Sequence, residues 1–271
     1  MRKFFFLTLA AILLAGCSNE SEELDAAPTE VVLMFTPYEM TSMTRAATSI
    51  SSIVTHLDVW ISDGTTTQDV HQTTSDDGFG TISMTLDKTK TYTLYAVGHR
   101  AEGAATLSDG VISFPDDKVT HAMFYTTTFT PATTTSLSCL MTRIVAQFRL
   151  MITDDIPTDV KKMRITISGV YDRWNVSTGA SHQLNRVSTI SYGGTSKNFS
   201  VYAIVTDAQT THTVTVDALD ADDQTLQSRT FAGVPLRNGY KTQYQGTFFI
   251  DSQMTMGFTV DDWNEFDTVD F

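Results

Sequence analysis

The chain has 271 residues, 41% of them hydrophobic, enough for a packed core. Its 31 acidic residues outnumber 18 basic ones, for a net charge of −13. That balance excludes a nucleic-acid binder built on a basic face and a polybasic membrane patch, and the length allows one large all-β domain or two smaller ones.

The N-terminus reads as an export signal. Met1-Arg2-Lys3 is charged, residues 4–14 are apolar, and Ala15-Gly16-Cys17 places small residues at a cut. The apolar run is too short to span a bilayer, and no later stretch reaches the ~18 apolar residues a transmembrane helix needs. Leu14-Ala15-Gly16-Cys17 resembles a bacterial lipobox. In signals of that kind the cysteine becomes the new N-terminus and carries more than one acyl chain, which suffices for stable anchoring. Cys17 is therefore the expected lipidation residue, residues 1–17 the lipoprotein signal with its lipidated cysteine, and the lipid the membrane contact. An ordinary secretory signal is the plain alternative. With Cys17 assigned to lipid, Cys139 has no disulfide partner. It lies in the apolar stretch Leu137-Ser138-Cys139-Leu140-Met141, where a buried, inert thiol is expected.

Residues 18–30 are acidic and turn-rich and read as a tether. Glu20, Glu22 and Glu23 resemble the acidic signal of surface-exported lipoproteins of the Bacteroidales, although a solvated linker has the same composition. Residues 31–35 form a compact strand pattern stopped by Pro37, and residues 40–48 are polar with one arginine, Arg45. Strand patterns follow at 57–62, 81–86 and 91–97, then in shorter runs near 111–114, 121–129 and 135–141. A second block opens at 143–152 and continues at 162–170, 199–205, 212–219, 225–231, 240–250 and 255–260. Turns are marked by Asp63-Gly64, Asp76-Asp77-Gly78, Gly193-Gly194, Asp220 to Asp223, and Asn238-Gly239. Strands recurring every 8–14 residues, with no long helical period, predict an all-β fold of two consecutive β-sandwich domains and at most one short helix. The division is a tether and first strand over 18–45, an N-terminal domain over 46–141 and a C-terminal domain over 142–271.

Little in the chain points to catalysis. The histidines at 56, 71, 99, 121, 182 and 212 include no pair at i, i+2 or i, i+4, and read as scattered. No nucleophile elbow, phosphate loop or dinucleotide fingerprint occurs. The acidic run from Asp217 to Asp223 lacks the glycine and terminal glutamate of an EF-hand loop and reads as a hairpin turn. Asp261, Asp262, Glu265 and Asp267 around Trp263 read as a solvated acidic end. Trp60, Trp174 and the many Phe and Tyr residues could line a glycan platform, but core packing explains them more simply. No catalytic, cofactor-binding or metal-ligating residue is expected, and the chain is not expected to be an enzyme.

A lipobox, a short strand, and Thr44-Arg45-Ala46 ahead of two β-sandwiches together resemble the fimbrillins, the type V pilus subunits of the Bacteroidales. Arg143-Ile144-Val145-Ala146-Gln147-Phe148-Arg149-Leu150, Ile165-Thr166-Ile167-Ser168-Gly169-Val170-Tyr171 and Asn175-Val176-Ser177-Thr178-Gly179 look like the start of the fimbrillin C-terminal domain. Val234-Pro235-Leu236-Arg237-Asn238-Gly239-Tyr240-Lys241-Thr242, closed by Gly246-Thr247-Phe248, resembles its later hairpin. The resemblance covers 31–271 and implies transthyretin-like domains. It also implies proteolytic processing between Arg45 and Ala46 by an arginine-directed protease. Loss of the first strand would open a groove for a neighbouring subunit's C-terminal segment, here 254–260 or the tail through Phe271. The implied partners are other pilus subunits through strand exchange, with a host surface protein or glycan for adhesion and no nucleic acid. The implied location is the outer membrane for the lipoprotein precursor, then the cell-surface fimbrium. An uncleaved surface-anchored adhesin, a tip or anchor subunit, or a glycan-binding lipoprotein is the alternative.

Overall fold

Residues 28–38, 49–250 and 257–262 are described by the computed structural model. The first nine strands are β1 (Pro28–Pro37), β2 (His56–Ser62), β3 (Thr67–Thr73), β4 (Thr81–Asp87), β5 (Tyr92–His99), β6 (Thr106–Ser108), β7 (Val111–Ser113), β8 (Ala122–Phe129) and β9 (Ser136–Arg143). Eight more follow: β10 (Ala146–Ile152), β11 (Lys162–Asn175), β12 (Gly179–Ser191), β13 (Asn198–Ala203), β14 (Thr210–Leu219), β15 (Thr225–Leu236), β16 (Tyr240–Gly246) and β17 (Gly257–Asp262). Two 3-10 turns, Ile50–Ser52 and Pro115–Asp117, are the only helical elements among the described residues. The all-β expectation therefore holds.

Seven strands form one sheet in the order β3-β2-β5-β8-β9-β1-β4. The sheet turns a corner between β8 and β9, which share only the pairs Met123↔Arg143 and Phe124↔Thr142. Folding at that corner brings the two faces together. Leu57, Val59 and Ile61 of β2 and Leu94 and Ala96 of β5 pack in one buried cluster with Val31, Leu33 and Phe35 of β1. Period-2 alternation is the cause, since it sends every second side chain to the same face.

The later strands repeat this design with two sheets, β13-β10-β16-β17 and β15-β14-β11-β7-β6, with β12 on the other side of β11. Their shared core includes Phe148, Leu150, Ile165, Ile167, Val214, Val216 and Phe248. All buried members of this core lie between Ala146 and Phe248, and those of the first lie between Val31 and Met141. The two halves also share a strand arrangement. β1 lies antiparallel to β4 and parallel to β9, and β10 lies antiparallel to β13 and parallel to β16.

A third cluster joins the halves, with Trp60, Val97, Ile112, Phe114 and Phe124 against Trp174 and Ile204. The long strand β11 makes this junction. Its Lys162–Ile167 stretch pairs with β14, and its end pairs with β7 of the earlier half through Arg173↔Ser113, Trp174↔Ile112 and Asn175↔Val111.

Candidate functional site

The residues expected to carry processing begin with β1. Its burial alternates along the strand, with Val31 and Leu33 at 0% exposure and Phe35 at 3%. On one side it pairs antiparallel with β4, Leu33 opposite Ile82. On the other it runs parallel to β9, Phe35 opposite Cys139 and Pro37 opposite Met141. Backbone bonds fix its ends: Val32 N–H donates to Thr135 O at 3.0 Å, and Tyr38 N–H to Met141 O at 2.8 Å. In mid-strand, Phe35 N–H donates to Gly80 O at 2.8 Å. Gly80 has φ +88°, and a Cβ there would stand 2.8 Å from Ile50 Cγ2, so this approach requires glycine.

β1 is thus an inner strand. Among the described residues β4 has no other ladder partner, and β9 has β8 beside it only at Phe124↔Thr142 and Met123↔Arg143. Burying a Val, Leu or Phe side chain contributes about 1.5–3 kcal/mol, so the three inward residues of β1 contribute roughly 5–9 kcal/mol. A whole domain has only about 5–15 kcal/mol of net stability. An empty β1 groove would therefore sit near the edge of unfolding, with two rows of unpaired backbone groups.

Cys139 lies on β9, the strand along one side of this groove, fully buried and without a disulfide. Burial pushes its thiol up to about 12, which disfavours the reactive thiolate in the folded chain.

At the other end of the chain, β17 is an edge strand among the described residues, antiparallel to β16 from Tyr240↔Asp262 to Gln245↔Gly257. The chain leading towards it is held at its root by Asp154. This carboxylate accepts from the backbone N–H groups of Phe248 (2.8 Å), Phe249 (2.7 Å) and Ile250 (3.0 Å). Burial pushes Asp154 up, but these donors outweigh it and hold the carboxyl below its ordinary range. Cys17, Arg45, Ala46, Trp263 and the tail through Phe271 lie outside the described residues, as do residues 254–256 of the expected donor segment.

The histidines are less scattered than the sequence spacing implies. Pairing of β2 with β3 sets Asp58 opposite His71, and pairing of β2 with β5 sets His56 opposite His99. Asp58 is buried and accepts from His71 Nδ1 (2.7 Å), His99 Nε2 (2.9 Å) and the Ala105 N–H (3.1 Å). His56 stacks between the other two rings, with centroids 5.5 and 5.3 Å away. Burial, then the neighbouring His99 and His71, holds His56 below its ordinary value. Asp58 thereby ties β2, β3 and β5 to the segment leading into β6. Among the described residues no group of three or more His, Cys, Asp or Glu is arranged to hold a metal ion.

Other acidic signals resolve as turns and pairs. Asp220 Oδ1 accepts from the N–H groups of Asp222 and Gln224, closing the β14–β15 hairpin, while Asp217 takes Arg164 and Ser228. Trp60 and Trp174 are core residues at the junction of the two halves.

Residues 1–18 match the prokaryotic membrane lipoprotein lipid attachment site, a stretch that encloses Cys17. No curated protein sequence matches the chain. Among solved structures, the chain is similar to a candidate adhesin from Bacteroides thetaiotaomicron, with 12% identity and a TM-score of 0.53 over 89% of this chain and 98% of that one. A candidate adhesin from Bacteroides ovatus gives 14% identity and a TM-score of 0.53 over 84% and 95%. A candidate cell adhesion protein from the same species gives 15% and 0.51 over 88% and 98%. The chain has the fold of these Bacteroides structures and bears a lipoprotein attachment signal at its N-terminus.

Proposed function

We propose that the chain is a structural subunit of a cell-surface pilus that supports adhesion. It is exported as an outer-membrane lipoprotein precursor on Cys17, cut between Arg45 and Ala46, and polymerised by strand exchange. The two cores correspond in this reading to two consecutive transthyretin-like sandwiches, and the chain has no catalytic role and no cofactor. The observation that carries the reading is the placement of β1. It precedes the Arg45–Ala46 bond in the chain, fills the first core, and bridges two strands that have little or no other ladder support. A strand lost from there demands a replacement of like pattern, because main-chain bonds supply affinity and alternate side chains set the register.

The C-terminal segment has that pattern. Met254, Met256, Phe258 and Val260 recur at every second residue, as Val31, Leu33 and Phe35 do. β17 has one ladder partner among the described residues, so leaving its own sheet disrupts one ladder only. A head-to-tail contact of this kind does not close on itself and builds a filament. The candidate adhesins of the same fold favour a cell-surface setting.

The test treats the folded chain with an arginine-specific protease and follows three readouts: the new N-terminus, the oligomeric state and the labelling of Cys139. The expected result is a chain starting at Ala46 that forms oligomers, with Cys139 labelled once β1 has left and protected again by a peptide of residues 254–260. A cut chain that stays monomeric, keeps β1 bound and keeps Cys139 protected would overturn the reading. That outcome would leave the surface-anchored adhesin. Protein from cells would then begin at Cys17.

A further inference from the structure

Two β-bulges shape a hollow on the second half of the molecule. On β11 the register against β12 shifts between Ile167 and Val170, at Gly169 with φ +65°. On β15 the register against β14 shifts past His212↔Val234, at Gly233 with φ +70°. Both glycines line the same hollow of about 440 Å³, which flanks the start of β14. The hollow lies where β11 lacks a full ladder neighbour. Its pairing with β14 ends at Ile167↔Val214, its pairing with β7 begins at Arg173↔Ser113, and Tyr171 makes a single bridge to Ile204 between them. His212 fills part of this gap, its Nδ1 2.8 Å from Ser168 O and its Nε2 2.7 Å from Thr210 Oγ1. Bulges often re-aim side chains beside binding sites, and both of these border one hollow.

The chemistry of the wall is uniform. It carries hydroxyls from Ser, Thr and Tyr, one amide, one buried histidine and no Asp, Glu, Lys or Arg, on a chain of net charge −13. Ser168 Oγ is occupied within the wall, donating to Thr213 O and accepting from Thr213 N–H. Gln183 Nε2 donates to Gly169 O, which sets the orientation of the amide. Ligand sites are clefts of about 300–1,000 Å³ with a few polar groups that fix orientation, and this hollow falls within that range. The ring of Tyr171 adds an apolar face with a polar tip.

We propose that this hollow binds a neutral saccharide. A charged sugar would find no counter-ion in the wall, and a lining this rich in hydroxyls is ill matched to an apolar ligand. An uncharged polyol, by contrast, exchanges its hydration for hydroxyl and amide partners and lays a ring face on Tyr171. The site is separate from the β1 groove, so it stands or falls independently of strand exchange.

The test is saturation-transfer NMR on the full soluble chain with lactose, maltose and cellobiose at millimolar concentration, with glucuronic acid alongside. The expected result is transfer to at least one neutral disaccharide and a loss of about tenfold in affinity in Gln183→Ala and in Thr213→Val. Both positions are exposed, so folding is retained. Tyr171→Phe, which keeps its packing, reports the hydroxyl separately. Absence of transfer from every neutral sugar, equal affinity in all three variants, or preference for glucuronic acid would overturn the proposal.

Discussion

Asp154 holds the backbone of Phe248, Phe249 and Ile250, and its chemistry gives a direct test. Hydrogen bonds to charged groups are each worth about 1.5–3 kcal/mol, but the three donors on Asp154 share one carboxylate and its desolvation cost. Asp154→Ala should therefore lower stability by about 2–3 kcal/mol, measured by urea unfolding. Its folded value lies below the unfolded one, so its contribution is full above the ordinary carboxylate range and is lost as pH falls through the folded value. His121 acts in the same sense, through burial of a neutral ring. Arg143 Nη1 lies 3.2 Å from its Nδ1 and can only donate, so Nδ1 must accept. The ring hydrogen is then on Nε2, 2.8 Å from Tyr202 Oη. Burial, with Arg143 and Arg100 nearby, takes His121 down to about 3. Between its ordinary value and that one, the unfolded chain holds a proton the folded chain refuses. Acid therefore erodes stability there, by up to about 1.4 kcal/mol per pH unit. His121→Gln keeps an acceptor and a donor without a titrating ring. The urea midpoint of this variant should fall less between pH 7 and pH 5 than the parent's. Equal falls would show that His121 is not the group responsible.

At the scale of elements, β1 shows what a sequence makes legible. Val31, Leu33 and Phe35 alternate with more polar or exposed neighbours, and the pattern alone marks a strand with one buried face. The same reasoning found β2, β4, β5, β11 and β14 and placed Cys139 in the core. It missed β3, β6 and β12. The residues of β12 and of β3 are exposed or half-buried throughout, so neither leaves an apolar rhythm. Their strand state comes from the ladder supplied by β2 and β11. The Asp58 cluster was hidden for a related reason, since its histidines meet only through the register of three strands. The Asp154 clamp joins groups far apart in sequence, and no local pattern announces it. For β1 itself, Leu33→Ala should cost about 2–5 kcal/mol. Because Cys139 is buried opposite Phe35 of β1, the variant should also speed native-state thiol labelling. Val216→Ala, in the second core, should leave that rate unchanged even where it lowers overall stability. Equal acceleration in both would mean that Cys139 is exposed by global unfolding and not by departure of β1.

The whole molecule is held together by β11 and the cluster around its far end. Trp174 is 7% exposed, stands opposite Ile112 of β7, and lies with its ring 5.8 Å from that of Phe124. The beginning of the same strand sits in the second core through Met163, Ile165 and Ile167. One strand thus belongs to both halves, so loss of packing in one is expected to disturb the other. Intact protein should accordingly unfold in one calorimetric transition whose enthalpy agrees with the van't Hoff value. Trp→Ala in a core costs about 3–5 kcal/mol, and here that loss falls on the junction while both main cores keep their contacts. Trp174→Ala should therefore resolve the unfolding into two transitions, one for each core. Val216→Ala, wholly inside the second core, should lower the single transition without splitting it. If the parent already unfolds in two steps, the third cluster does not couple the halves. If Trp174→Ala still melts as one unit, the coupling resides elsewhere, and the next place to cut is the polar contact between His121 and Tyr202.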